Sequence, residues 1–287
     1  MGQTFISDVS DTALWIAAYR AQETERGDAA FKDTLARYLA GERGFDIAEN
    51  IPHTKAMEFA MVVRTAAIDR LIETAIAEGI DAVINLGAGL DTRPYRMNLP
   101  VDLRWIEVDF PGTIAYKNDK LKFETPVCSL ERIAVDLANE SQREMLFYQL
   151  GKETTKALVI TEGVIGYLTD RQAASLSRSL YATQSFQYWI QDYSQGKLRR
   201  NRQMKKIKSK LTNAPLQFTE PDPIKFFSSH GWKVCNNLHI LDEAERIGRT
   251  MPTMFPWSLL MKIFPRKFRQ LGNNTYGYVM FCRGDKS

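Results

Sequence analysis

Apolar residues recur on a helical period through the first part of the chain, then give way near residue 80 to short apolar runs separated by helix-length polar stretches. Phe31, Leu35, Tyr38 and Leu39 fall on one helical face, with Asp28 placed to cap that helix and Gly41 to break it. From Thr54 to Glu78, the residues Phe59, Val62, Val63, Ile68, Leu71, Ile72, Ala75 and Ile76 form a long apolar stripe that Gly79 ends. Residues 1–80 therefore read as an N-terminal helical cover whose last helix packs on the strands beyond residue 80.

The runs around 82–86, 104–108, 131–135 and 157–161 read as strands. Pro111 suits a first helical turn, and Thr169 with Gln172 has capping-box spacing. This alternation predicts an α/β fold: a doubly wound, mostly parallel sheet covered on both faces. Strands at 185–192, 232–236 and 275–281 and helices at 223–230 and 241–249 complete it. With 287 residues and no internal repeat, 1–287 is expected to form a single domain.

The stretch 193–222 breaks the rhythm and reads as a late insertion on the substrate side, a basic lid. Between Lys197 and Lys210 it carries eight positive charges in fourteen positions and no acid, although the whole chain is only +4. Such a run is either a solvated helix face or a docking surface for an acidic substrate or partner. Without interleaved aromatic residues it argues against nucleic acid. The sequence has no apolar run near ~18 residues, which excludes a transmembrane helix. Met1 to Val9 lacks a basic start and a long apolar run, so a secretory leader is not expected. Three widely spaced cysteines, Cys128, Cys235 and Cys282, suggest neither a disulfide framework nor a metal site, and fit a reducing cytoplasm.

The chemistry concentrates at Val83-Ile84-Asn85-Leu86-Gly87-Ala88-Gly89-Leu90-Asp91-Thr92-Arg93, an apolar strand ending in a glycine turn. About twenty residues on, Trp105-Ile106-Glu107-Val108-Asp109 delivers carboxylates to the end of a second strand, where one can accept both ribose hydroxyl hydrogens; they could equally be paired with basic residues. A dinucleotide is disfavoured: Thr92 stands at the third glycine position, and Asp91 would lie beside a pyrophosphate. S-adenosylmethionine lacks phosphate, and its amino acid end can use both acidic and basic partners.

The blocks N-L-G-A-G-L-D-T-R (85–93) and E-V-D-F-P (107–111) are accompanied by S-D-T-A (10–13), R-T-A-A-I-D (64–69), Asp136-Leu137 and Thr161-Glu162-Gly163. In this order they make the chain resemble the leucine carboxyl methyltransferase family, especially its bacterial branch of S-adenosylmethionine-dependent O-methyltransferases, which includes enzymes of secondary metabolism. The resemblance implies a methyltransferase-type fold and S-adenosyl-L-methionine as cofactor. It implies that Arg64 pairs with the methionine carboxylate, that Gly87 gives close backbone approach, and that Asp109 binds the ribose. It further implies that Asp136 and Leu137 flank the adenine and that Glu162 engages the amino acid portion. One departure stands out: Phe31-Lys32-Asp33-Thr34 replaces an expected F-x-D-P, leaving the path of the N-terminal cover less defined.

The activity expected is methyl transfer to oxygen, first to a carboxylate of a small metabolite or peptide, which is already ionised at neutral pH and needs no general base. The alternatives are a phenolic acceptor, and a catalytically silent cofactor-binding protein that recruits a partner through its basic surface. No histidine, His53, His230 or His239, falls in a cofactor motif. Tyr19, Tyr167, Tyr193 and Arg93 are candidate pocket residues by position, and Lys55 or His53 could approach the opening.

Overall fold

The structure, a computed structural model, describes residues 9–50, 54–195, 216–252, 272 and 275–284. The alternating segments form β1 (Ala82–Leu86), β2 (Arg104–Asp109), β3 (Ser129–Ala134), β4 (Ala157–Thr161), β5 (Phe186–Ser194), β6 (Trp232–His239) and β7 (Tyr276–Arg283). They lie in one sheet of order β3-β2-β1-β4-β5-β7-β6. β7 pairs antiparallel with both β5 and β6, and the other pairings are parallel. Every residue of β1 and β4 is buried, as expected of central strands with helices on both faces. Strand order reverses between β1 and β4, so the loops leaving their carboxyl ends diverge and open a crevice.

Seven of the nine α-helices among the described residues arrange around this sheet: α3 (Thr54–Ala77), α4 (Arg93–Arg96), α5 (Pro111–Lys120), α6 (Glu140–Glu153), α7 (Asp170–Ala182), α8 (Pro223–Ser228) and α9 (Ile240–Arg246). One core, with Phe147, Leu176, Trp189, Phe227 and Trp232, lies under α6, α7 and α8. The other, with Ile68, Leu71, Trp105, Ile160 and Tyr278, lies under α3 and α9. Thr169 and Gln172 form the expected capping box at α7. Asn139, through its bond from the Gln142 amide, caps α6.

The N-terminal cover is built from α1 (Val9–Thr24) and α2 (Ala36–Asn50), which pack Trp15, Tyr19, Leu39 and Ile47 against Met61 of α3. One of its details differs from the sequence expectation. Asp28 caps no helix but pairs with Arg26 and Arg249; Gly41, at φ 55° and ψ −176°, does break the helical run as expected, dividing Ala36–Asn50 at a kink. Asp33, in the segment that departs from F-x-D-P, latches the cover to the glycine turn. Its buried Oδ2 accepts from Arg20 Nε at 2.8 Å and from the Thr92 hydroxyl at 2.6 Å, while Arg20 also donates to the Leu90 carbonyl. Asp33→Asn removes the charge that balances Arg20 and should lower unfolding free energy by about 3 kcal/mol, read by chemical denaturation. Faster proteolytic cutting within residues 9–50 than elsewhere should accompany that loss, whereas unchanged cutting would show that this latch does not hold the cover.

The cysteine expectation needs correction. Cys235 and Cys282 form a disulfide with Cα atoms 5.8 Å apart. The register of β6 slips between Val234 and Asn236, so Cys235 is an extra residue on the bulged strand and reaches Cys282 of β7. No spacing rule exposes such a pair, because the bulge decides it. Cys128 is buried and free. The basic segment 197–210 and most of the expected 193–222 lid lie outside the described residues, as does His53. Of the lid, residues 193–195 and 216–222 are described: the Gln217 amide bonds the Gly166 carbonyl, and Phe218 is buried.

Candidate active site

A cavity of about 550 Å³ opens at the carboxyl ends of the strands, roofed by α1 and α3. It falls in the size range of small-molecule sites. All six residues expected to bind the cofactor, Arg64, Gly87, Asp109, Asp136, Leu137 and Glu162, line it. They come from α3 and from the ends of β1, β2, β3 and β4.

The glycine turn is shaped by close backbone approach. Gly87 and Gly89 have φ of 70° and 49°, a region other residues enter at a cost. A Cβ on Gly87 would lie 2.5 Å from Val164 Cγ2. The Gly87 and Ala88 amides donate to the Val108 carbonyl, and the Gly89 amide to Asp109 Oδ2 at 2.7 Å, tying the ends of β1 and β2 together. Asp109 Oδ1 accepts from the Phe110 amide at 2.7 Å. Each carboxylate oxygen has a second lone pair, so Asp109 is oriented by backbone and keeps acceptor capacity toward the cavity. Glu107, two residues back on the same face, is fully buried between Lys117 at 2.8 Å and Arg132 at 2.8 Å. Of the two carboxylates at the end of β2, only Asp109 reaches the cavity; Glu107 ties α5 and β3 to β2.

Asp136 and Leu137 follow β3. Asp136 Oδ1 accepts from the Ala138 amide at 2.9 Å, a local turn that leaves helix capping to Asn139 and its second oxygen available to the cavity. The Leu137 carbonyl accepts from Arg143 at 3.0 Å, which fixes the apolar side chain beside Asp136.

At the far end, the α3 arginine enters a buried network of opposite charges. Arg64 Nε stands 2.8 Å from Glu162 Oε1, an ion contact outside hydrogen-bond angles, and Arg64 Nη1 lies 3.8 Å from Asp192. It does not pair with Asp69. Arg93 Nη1 donates to Glu162 at 2.9 Å and to Asp91 at 2.9 Å, and Arg93 Nε to Asp69 at 2.6 Å; Arg96 closes the chain on Asp69. Asp192 accepts from the Gly163 amide at 2.7 Å and from the Tyr276 hydroxyl at 2.9 Å.

Burial by itself would raise the pKa of Glu162, but Arg93 and Arg64 more than offset it and hold the carboxyl below its ordinary value. Asp69 and Asp91 are likewise held down by their arginines against the effect of burial. Burial would lower the Arg64 pKa, yet Glu162 and Asp192 raise it above its ordinary value. Three guanidiniums thus meet four carboxylates, Asp69, Asp91, Glu162 and Asp192, and the excess negative charge favours a ligand with a cationic centre.

Tyr167, Tyr193 and Arg93 line the cavity as their positions suggested, whereas Tyr19 is buried in the cover. Lys55 is exposed and away from the lining. The described lining includes neither lysine nor histidine. Asp192, Gln191 and Tyr276 escaped the sequence reading. The charged Asp192 near the end of an apolar strand is the same signal that marked Glu162 and could have found it.

Across 269 residues the chain is 30% identical to a Streptomyces coelicolor protein named as an S-adenosyl-L-methionine-dependent methyltransferase, covering 86% of this chain and 91% of that protein. A Frankia alni protein named likewise is 33% identical over 185 residues, covering 61% of this chain and 65% of its own. Among solved structures, a DUF574 family protein of Streptomyces avermitilis matches with a TM-score of 0.60 at 12% identity, over 95% of this chain and 97% of that one. A Thermobifida fusca protein titled a methyltransferase matches with a TM-score of 0.59 at 12% identity, over 96% and 94%. At these identities the structural likeness establishes the methyltransferase fold. The leucine carboxyl methyltransferase family pattern matches residues 13–180, more than half of the chain, a span that contains α3, the glycine turn, Asp109, Asp136 and Glu162. By that match, the chain belongs to the leucine carboxyl methyltransferase family.

Proposed function

We propose that the chain is an O-methyltransferase that acts on a carboxylate of a small metabolite or peptide. Its cofactor is S-adenosyl-L-methionine. When bound, that cofactor supplies a methyl group on a cationic sulfonium, an electrophile toward an oxygen lone pair.

The residues present fit the cofactor: the Gly87-Ala88-Gly89 turn lines the cavity with backbone at positive φ, and Asp109 offers oriented acceptors suited to ribose hydroxyls. Asp136 and Leu137 pair a hydrogen-bond acceptor with an apolar surface, as an adenine requires. Arg64 would hold the methionine carboxylate and Glu162 its ammonium, while the acidic excess suits the sulfonium.

One observation favours a carboxylate acceptor. The described lining has no histidine or lysine, and Glu162 and Asp91 are held below ordinary carboxyl pKa values by their arginines, which makes them weak bases. A phenol, with a reference pKa near 10, asks for a base, whereas a carboxylic acid, near 4, is already ionised. The chain's contribution is then to align the acceptor and exclude water: α1 and α3 cover the crevice, and the Asp33 latch holds that cover to the glycine turn. Because the cavity is acid-rich, an anionic acceptor should bind only after the cofactor has added its positive charge.

Incubation with methyl-labelled cofactor and native cell extract, followed by mass identification of the product, tests the reading. Label in a base-labile methyl ester is the expected outcome. A base-stable ether would move the acceptor to a phenol. Cofactor binding with no label transferred would leave a non-catalytic binding protein.

A further inference from the structure

Gln191 lies on β5, between Trp189 and Tyr193 on the same strand face and opposite Thr161 of β4 in register. It lines the cavity, is only 1% exposed, and neither its Nε2 nor its Oε1 has a hydrogen-bond partner among the described residues. A buried amide left with both ends unmet costs about 1–3 kcal/mol per group, so it requires an explanation. Its neighbours are already committed. The Thr161 hydroxyl accepts from Trp189 Nε1 at 2.9 Å, and the Tyr193 hydroxyl donates to Asn237 at 2.8 Å.

The position separates Gln191 from the cofactor cradle. That cradle comes from α3 and the strand ends β1 to β4, and the next residue along β5, Asp192, takes the opposite face toward Arg64. Gln191 faces the side of the sheet that carries Ile165, Leu168 and Phe218, an apolar wall of the same cavity. Each arginine lining the cavity already has a carboxylate: Arg20 with Asp33, Arg64 with Glu162, Arg93 with Asp91 and Arg96 with Asp69. The apolar end of the cavity thus presents an acceptor with a neutral amide and no unpaired cation among the described residues.

We propose that Gln191 orients the methyl acceptor and selects its class: a carboxylate on an apolar body, with a neutral hydrogen-bond donor such as a hydroxyl on its α carbon. This rests on the carboxylate reading above. Nε2 donates to one carboxylate oxygen and Oε1 accepts from the α-hydroxyl. The amide nitrogen and oxygen share one carbon, so the two groups they meet must also stand close together, as they do on a 2-hydroxy acid. A neutral donor orients the carboxylate without drawing off the charge that makes its second oxygen a nucleophile, which an unpaired arginine would do.

The test uses the full chain loaded with sinefungin, the cationic amine analogue of the cofactor that transfers no methyl, titrated by calorimetry with 2-hydroxydecanoate and decanoate. The wild type should bind the hydroxy acid about tenfold more tightly, the size of one well-made buried polar contact. Gln191→Leu and Gln191→Met should abolish that preference while leaving sinefungin affinity within about twofold. In the free protein both variants should melt at or above the wild-type temperature, because an unpartnered amide is being replaced by an apolar group.

Retained discrimination in the variants, no discrimination or no binding in the wild type, a parallel fall in sinefungin affinity, or a lower melting temperature would each overturn the assignment. Methyl-labelled cofactor with the same acids separates the two levels. Intact discrimination without any base-labile ester removes the carboxyl methylation reading and leaves the Gln191 recognition of hydroxy acids standing.

Discussion

Glu162→Gln should lower unfolding free energy by about 3 kcal/mol, at the lower end of what removing one partner of a buried ion pair costs, because this side chain retains 14% exposure. The loss does not fall evenly. Arg93 keeps Asp69 and Asp91, but Arg64 keeps only Asp192 at 3.8 Å, so Arg64 becomes an under-compensated buried charge. The substitution also removes the acidic excess of the network, and S-adenosyl-L-methionine affinity should fall at least about thirtyfold, which is roughly 2 kcal/mol by calorimetry. Equal stability with equal affinity would show that the Arg64–Glu162 contact contributes to neither.

The same variant carries a pH signature. Glu162 has a folded pKa below its unfolded value, so its contribution is fully present above the unfolded value, about 4, and is lost as pH falls through the depressed folded value. Asp69 and Asp91 add to this acid-labile stability with the same sign. Denaturation curves collected downward from pH 6 should show a shallower acid loss in Glu162→Gln than in the wild type, since one of the groups that must take up a proton has gone. Parallel acid limbs would mean that Glu162 is not coupled to its arginines in solution.

What was legible in the sequence came from local rules. Alternating apolar runs marked β1 to β5, and the Thr169–Gln172 spacing produced the cap it promised. The six proposed cofactor residues converge because each sits at or just past the end of a strand or on the helix whose apolar stripe docks on the sheet. Less legible was anything decided by distant partners. Asp28 looked like a cap but is drawn off by Arg249, more than two hundred residues away, and the residues alone left open whether Glu107 or Asp109 faced a ligand until Lys117 and Arg132 closed on Glu107. The Cys235–Cys282 bond depends on a bulge, and Gln191 is conspicuous only because its partners are missing, which no spacing of residues encodes.

Gly87→Ala should weaken S-adenosyl-L-methionine binding about a hundredfold, the cost of changing backbone approach at a turn of the proposed cofactor site. Two effects add. At φ 70° an alanine pays roughly 1–2 kcal/mol of left-handed strain, and its Cβ would press on Val164 Cγ2 from 2.5 Å, closer than packing allows. Folding stability should drop by about 2–3 kcal/mol in denaturant as a result. Adding Val164→Ala removes the clash but not the positive φ, so the double variant should regain part of the stability while affinity stays low. The pair distinguishes a turn kept clear for a ligand from one kept clear for a neighbour. If the double variant binds the cofactor as tightly as the wild type, Gly87 is there to accommodate Val164, and the close approach of backbone to cofactor is not what the turn provides.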